Sequence, residues 1–226
     1  PVGEENVHLT VFSALGTKKM QVWVGRVRTE IDNVRAAVLW ALQSDPARAL
    51  AMSDKLPLFF VFEGPALEAR QWLEEAIKAV EQLEPAGPEV ERRRMALLLQ
   101  GRTWEGNLQF GEGRHAEAAE TLRAAAEMAH QHNFPGFQSL ALALESLALS
   151  FLDQAGAHEI AAEALAIQET LDDPQLQALT LDALVRANMA AGDFTEAEDY
   201  YRKAISLLEE HHTILGGLML VSLARL

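Results

Sequence analysis

The chain has 226 residues, 49% of them hydrophobic, with no cysteine and a formal charge of −14. This excludes a disulfide framework, a thiolate zinc site and a cysteine nucleophile, and no apolar run approaches the roughly eighteen residues of a membrane span. The charge is uneven: residues 1–113 carry 13 Lys+Arg against 16 Asp+Glu, residues 114–226 only 6 against 17, which disfavours a phosphate backbone as partner and suits a solvated face or a basic one.

Leu and Ala dominate and aromatics make up 7%, which favours helix over sheet. Residues 1–15 do not read as a secretory leader, and the expected compartment is cytoplasmic. The first predicted helix covers about 18–44, where Val27, Ile31, Val34, Val38 and Leu42 form one apolar stripe. Trp23 and Trp40 are expected to pack at its ends. Asp32, Asn33 and Arg35 interrupt it, either bonding to a neighbouring helix or solvent or touching an upstream module.

Four helix pairs follow, at about 47–62/65–83, 89–110/114–132, 136–153/157–171 and 175–191/194–211. Asp45-Pro46, Pro85 with Gly87-Pro88, Pro135-Gly136 and Asp172-Asp173-Pro174 punctuate them. Pro57 should kink or shorten the helix that contains it. Phe59, Phe60 and Phe62 point several ways and belong mostly to the core, with one available as an exposed anchor. Arg92, Arg93 and Arg94, flanked by Glu89 and Glu91, read as a solvated helix face.

An internal repeat joins these pairs. Gly64 is followed by Ala69, Leu73 and Ala76, Gly113 by Ala118, Leu122 and Ala125, and Gly192 by Ala197, Tyr201 and Ala204, at the same offsets. Gly lets the chain reverse, small residues let a second helix approach, and the larger one fills the gap beside it. Around Gly156 the pattern degrades: Ala161 and Leu165 fit, but Gln168 falls where Ala belongs, and aligning Ala164 there instead leaves the register open. The link near 153–158 is expected to be shortened. The last stretch, "HTILGGLMLVSLARL", reads as the first helix of a further pair, as if cut from a longer array, and its apolar side chains offer a surface for homodimerisation.

The repeat resembles the tetratricopeptide repeat (TPR). Residues 178–211 follow that signature closely, with Val185 where Gly is usual. The unit at 99–132 has Gly106 at this small position and Glu105 where Leu is expected, and the unit at 50–83 has Pro57 there. The resemblance implies an all-α fold, a right-handed α-α superhelix of about nine to eleven helices. A second pattern runs through Trp23, Arg26, Glu30, Asp32, Asn33, Val34, Arg35, Ala36, Ala37, Trp40 and Ala41, then Asp45-Pro46 and "RQWLEEA" at 70–76. It is similar to the segment that leads into the TPR array of bacterial STAND-class signalling ATPases, including LuxR-type and MalT-like transcription regulators. That resemblance implies linker helices over 1–44 from an upstream module and a TPR-like repeat domain over 45–226.

No phosphate-binding loop, H-E-x-x-H or G-x-S-x-G occurs. His130 and His132 diverge on a helix, as do the adjacent His211 and His212. All four sit near helix C-termini and suit end-capping better than a metal. The paired acids Glu74-Glu75, Asp172-Asp173 and Glu209-Glu210 lack an inferable cleft. No catalytic residue, cofactor or metal is expected. By the family's geometry the first helices line the inner face, which places Asp54 and Leu58, then Gln100, Thr103 and Asn107, then Ser146 and Ser150, then Asp182 and Arg186 there as candidate partner contacts, or as merely the wet side of the array. The implied function is non-catalytic effector sensing or protein–protein interaction, with a protein or peptide, or the upstream ATPase module, as partner. The alternative is an independent scaffold holding a peptide or partner helix in its groove. Neither direct nucleic-acid nor membrane binding is expected.

Overall fold

The computed structural model describes residues 18–53, 56, 66–84, 87–152, 156–171 and 174–210. Among these residues there are nine helices and no strand. A long α1 (Lys18–Ser44) leads into α2 (Pro46–Ser53) and α3 (Ala66–Glu81). Then come α4 (Pro88–Gly111) with α5 (His115–Gln131), α6 (Pro135–Ser150) with α7 (Ala157–Glu169), and α8 (Pro174–Ala191) with α9 (Phe194–Glu210).

Each pair packs internally, α2 on α3, α4 on α5, α6 on α7 and α8 on α9. Each second helix also meets the first helix of the next pair, α3 on α4, α5 on α6 and α7 on α8. The first helices α2, α4, α6 and α8 touch in succession, and α1 lies against α2 and α3. This is the packing expected of an α-α repeat array, in which every unit buries its apolar side only against its neighbours.

The turns explain the repeat. Gly113 and Gly192 adopt φ of +78° and +82°, a left-handed conformation that glycine enters without a Cβ clash. After Gly113, the Arg114 amide bonds back to the Gln109 carbonyl at 2.9 Å; after Gly192, the Asp193 amide does so to Asn188 at 2.9 Å. Both are Schellman closures, which satisfy carbonyls left open at a helix end. Asp193 then caps α9, its carboxylate accepting the Glu196 amide at 3.2 Å. Gly156 is also left-handed, at +99°, so it is the turn glycine of the degenerate unit. Behind it Ala161, Ala164 and Gln168 are all buried. Residues 153–155 of the link it ends, where a shortened connection was expected, lie outside the described residues.

The small residues do what their spacing predicts. A Cβ on Gly106 would sit 2.5 Å from Leu122 Cγ, so α4 and α5 touch backbone to side chain there. Leu122 joins Ala118 and Ala119 of α5 with Leu140, Leu144 and Ala148 of α6 in one core cluster. A second unites Ala125 and Ala126 with residues of α6, α7 and α8 and Ala204 of α9. Toward the N-terminal end, Leu50, Leu73 and Ile77 pack with Leu98, Trp104 and Leu108 of α4.

The stripe on α1 faces inward as expected, Val38 buried and Val27, Ile31, Val34 and Leu42 packed against Leu56, Ala69 and Trp72. Trp40 does not pack there: it is 59% exposed, because it lies two residues beyond Val38, on the opposite side of the helix. The side chain of Trp23 lies outside the described residues. The described part of α2 stops at Ser53, with Leu56 buried in non-helical conformation just before Pro57; a residue preceding proline is pushed out of the α region. Phe59, Phe60, Phe62 and the stretch from His211 onward lie outside the described residues.

Candidate functional site

The first helices α4, α6 and α8 touch in succession, and the residues expected on their inner face make up the candidate site. Asp54 and Leu58 lie outside the described residues. Gln100 and Asn107 on α4 are half-buried. Thr103 is interior: its hydroxyl donates to the Leu99 carbonyl of its own helix at 2.8 Å. Ser146 is fully buried and faces α7, donating to the Ala157 carbonyl at 2.7 Å. Neither hydroxyl is offered to a partner. Ser150 is partly buried and donates to Leu147 O at 2.8 Å.

On α8, Arg186 lies 3.0 Å from Asp182 one turn earlier, and the Asp182 carboxylate is the more deeply set of the two. Burial pushes its pKa above the ordinary aspartate value, while the charge and hydrogen bond of Arg186 oppose that shift. The residues left with partly exposed polar groups are Gln100, Asn107, Ser150, Asp182 and Arg186. Gln100 and Asn107 form an amide pair on α4, and Asp182 with Arg186 an ion pair on α8, with α6 buried from Ser139 to Leu149 between those helices. Such side chains can hydrogen-bond a bound chain.

The other polar groups singled out by sequence are engaged structurally. Arg35 forks onto Glu68 of α3 at 2.8 and 3.0 Å and also meets Asp32 at 2.7 Å. Within the arginine run, Arg93 pairs with Glu89 at 2.8 Å, Arg94 with Glu91 at 2.7 Å, and the Arg92 guanidinium sits 4.5 Å from the centroid of the Phe134 ring. His130 occupies the last turn of α5 and His132 follows it. Among the described residues no group of three or more His, Asp or Glu could hold a metal ion.

Two buried acids were not anticipated. Glu145 of α6 is 1% exposed and accepts the Arg123 Nε–H of α5 at 2.9 Å. Glu105 of α4 is buried and pairs with Arg102, which also reaches Glu81 of α3 at 2.6 Å. The signal for Glu145 was present in "SLALALESLALS", a single acid in an otherwise uncharged Leu/Ala helix. The signal for Glu105 was its place where the repeat calls for leucine.

No family model matches the chain, and no curated protein matches it. Among the described residues no helix is long and apolar enough to cross a membrane.

Proposed function

We propose that this chain is a non-catalytic, TPR-type interaction and effector-sensing segment of a cytoplasmic bacterial regulator of the STAND class. The observation that carries the reading is the succession of touching first helices that carry partly exposed polar side chains, Gln100 and Asn107 on α4 and Asp182 and Arg186 on α8. The motif from Trp23 to Ala41 supports the STAND assignment, and its Arg35 holds α1 onto α3 through Glu68. The partner is a protein or peptide, or an ATPase module of the same protein. Its binding would have to favour one arrangement of the array over another to produce a signal.

The test is capture of a partner by the full-length protein, repeated with this chain alone and with the variants Gln100→Ala/Asn107→Ala and Arg186→Ala. The reading expects the chain to retain the partner and both variants to lose at least about tenfold in affinity, roughly 1.4 kcal/mol. Equal affinity for the variants and for the outer-face control Glu120→Ala would overturn the placement of the site. A partner captured by the full-length protein but not by this chain would overturn the sensing role.

A further inference from the structure

The buried Glu145 lies outside the candidate face, at the junction of α5, α6 and α7, and nothing above gives it a role. Its side chain is 2% exposed, whereas that of Arg123, its hydrogen-bond partner at 2.9 Å, is 53% exposed. The interior end of this ion pair is therefore enclosed, and the outer end is open to solvent. The charged groups acting on Glu145 are Arg123 and Glu127 from α5 and Glu163 from α7; no charged group of α4 or α8, which also pack on α6, is among them. Arg123 is thus the one cation among the charged groups that act on Glu145. Burial is the main influence raising the Glu145 pKa, Arg123 opposes it, and Glu127 and Glu163 add to it.

We propose that Arg123 and Glu145 form a proton-operated release: when Glu145 takes up a proton from solvent, the Arg123 guanidinium leaves it and turns onto the outer face of α5. A neutral carboxyl no longer holds a guanidinium by charge, and it tolerates burial better than a carboxylate does. Arg123 has an alternative within its own helix, since Glu120 three residues before and Glu127 four residues after both stand exposed on the same side. The backbone need not move. What changes is the outer surface, which gains a mobile cation among its acids while the core loses a charge. By linkage, any anion that captures Arg123 from outside raises the proton affinity of Glu145, and acidification makes Arg123 available.

The experiment is a pH titration of the whole chain by NMR, following the Glu145 carboxyl carbon and the Arg123 Nε–H together. The expected result is a Glu145 midpoint above those of the exposed Glu120 and Glu159. The Arg123 Nε–H should be protected from exchange at neutral pH and lose that protection with the same midpoint. In Glu145→Leu, which cannot accept the bond, the Arg123 signal should show the released state at every pH. A Glu145 midpoint no higher than those of the exposed glutamates overturns the proposal. So does an Arg123 signal unchanged through the Glu145 titration. Both readouts come from the unsubstituted chain, so the proposal stands or falls even if the leucine variant does not fold.

Discussion

Gly106 and Gly111 lie on the same helix and have opposite reasons for being glycine. A methyl at 106 would drive into Leu122, which is fully buried and has nowhere to go, whereas a Cβ at 111 meets nothing within 4 Å. Gly106→Ala should therefore cost about 1–3 kcal/mol as an overpacking change. Gly111→Ala, with no left-handed backbone to strain, should gain about 0.4–1 kcal/mol. Urea unfolding of the two variants checks both signs, and equal effects would remove the close approach from the account of the α4–α5 contact. Gly106 was legible from the repeat alone. The fates of Thr103 and Ser146 were not, because a hydroxyl one residue off the inner face finds a backbone carbonyl, and a helical pattern does not resolve that rotation. Asp182 was legible as a position but not as an acid with a raised pKa. Its raised pKa means that its contribution to stability is full below the unfolded value and is lost as pH rises through the folded one. Asp182→Asn should thus gain in stability relative to the unsubstituted chain as pH rises from acid to neutral. Thermal unfolding at several pH values would show this, and a parallel pair of curves would contradict it.

The helices themselves are where the sequence read best, because Pro and Gly mark their ends by excluding alternatives. Pro46, Pro88, Pro135 and Pro174 each open a helix, since a first-turn position needs no amide. The Gly113 and Gly192 turns share one hydrogen-bond pattern, so alanine at either should destabilise by about 1–2 kcal/mol through left-handed strain, with the same loss in each. A large difference between Gly113→Ala and Gly192→Ala in chemical denaturation would mean that the turns are not equivalent. Between α5 and α6 the same closure uses Asn133 at φ +58°, with the Phe134 amide bonding to Ala129 at 2.9 Å. Asn is among the few residues other than glycine that tolerate this conformation, so a search for glycine alone passes over it.

At the scale of the whole molecule, four of the described acids fall into two groups with opposite pH behaviour. Glu91 and Glu117 are held below the ordinary range by hydrogen bonds from Arg94 and Arg114. They contribute stability above the unfolded value and lose it as pH falls. Glu145 and Asp182, raised by burial, do the reverse. Stability should therefore fall on the acid side less steeply than the first group alone would make it, and removing the second group with Glu145→Gln and Asp182→Asn together should steepen that fall. A double variant whose pH profile matches the unsubstituted chain would refute the division. The array also predicts uneven opening, because neighbours are its main support. Amide exchange should be slowest in α6, packed on by α4, α5, α7 and α8, and faster in α1 and α9, which meet fewer helices among the described residues.

Every residue from Ser139 to Leu149 of α6 is buried. An ordinary amphipathic helix drifts freely in evolution along its wet side and so keeps a readable rhythm of fixed and variable positions. This one has almost no wet side, so random replacement should be tolerated at few of its sites and at many on α9. Over long divergence α6 would keep its bulk and greasiness without any spaced motif, leaving the middle of the chain the hardest part for a pattern search to anchor.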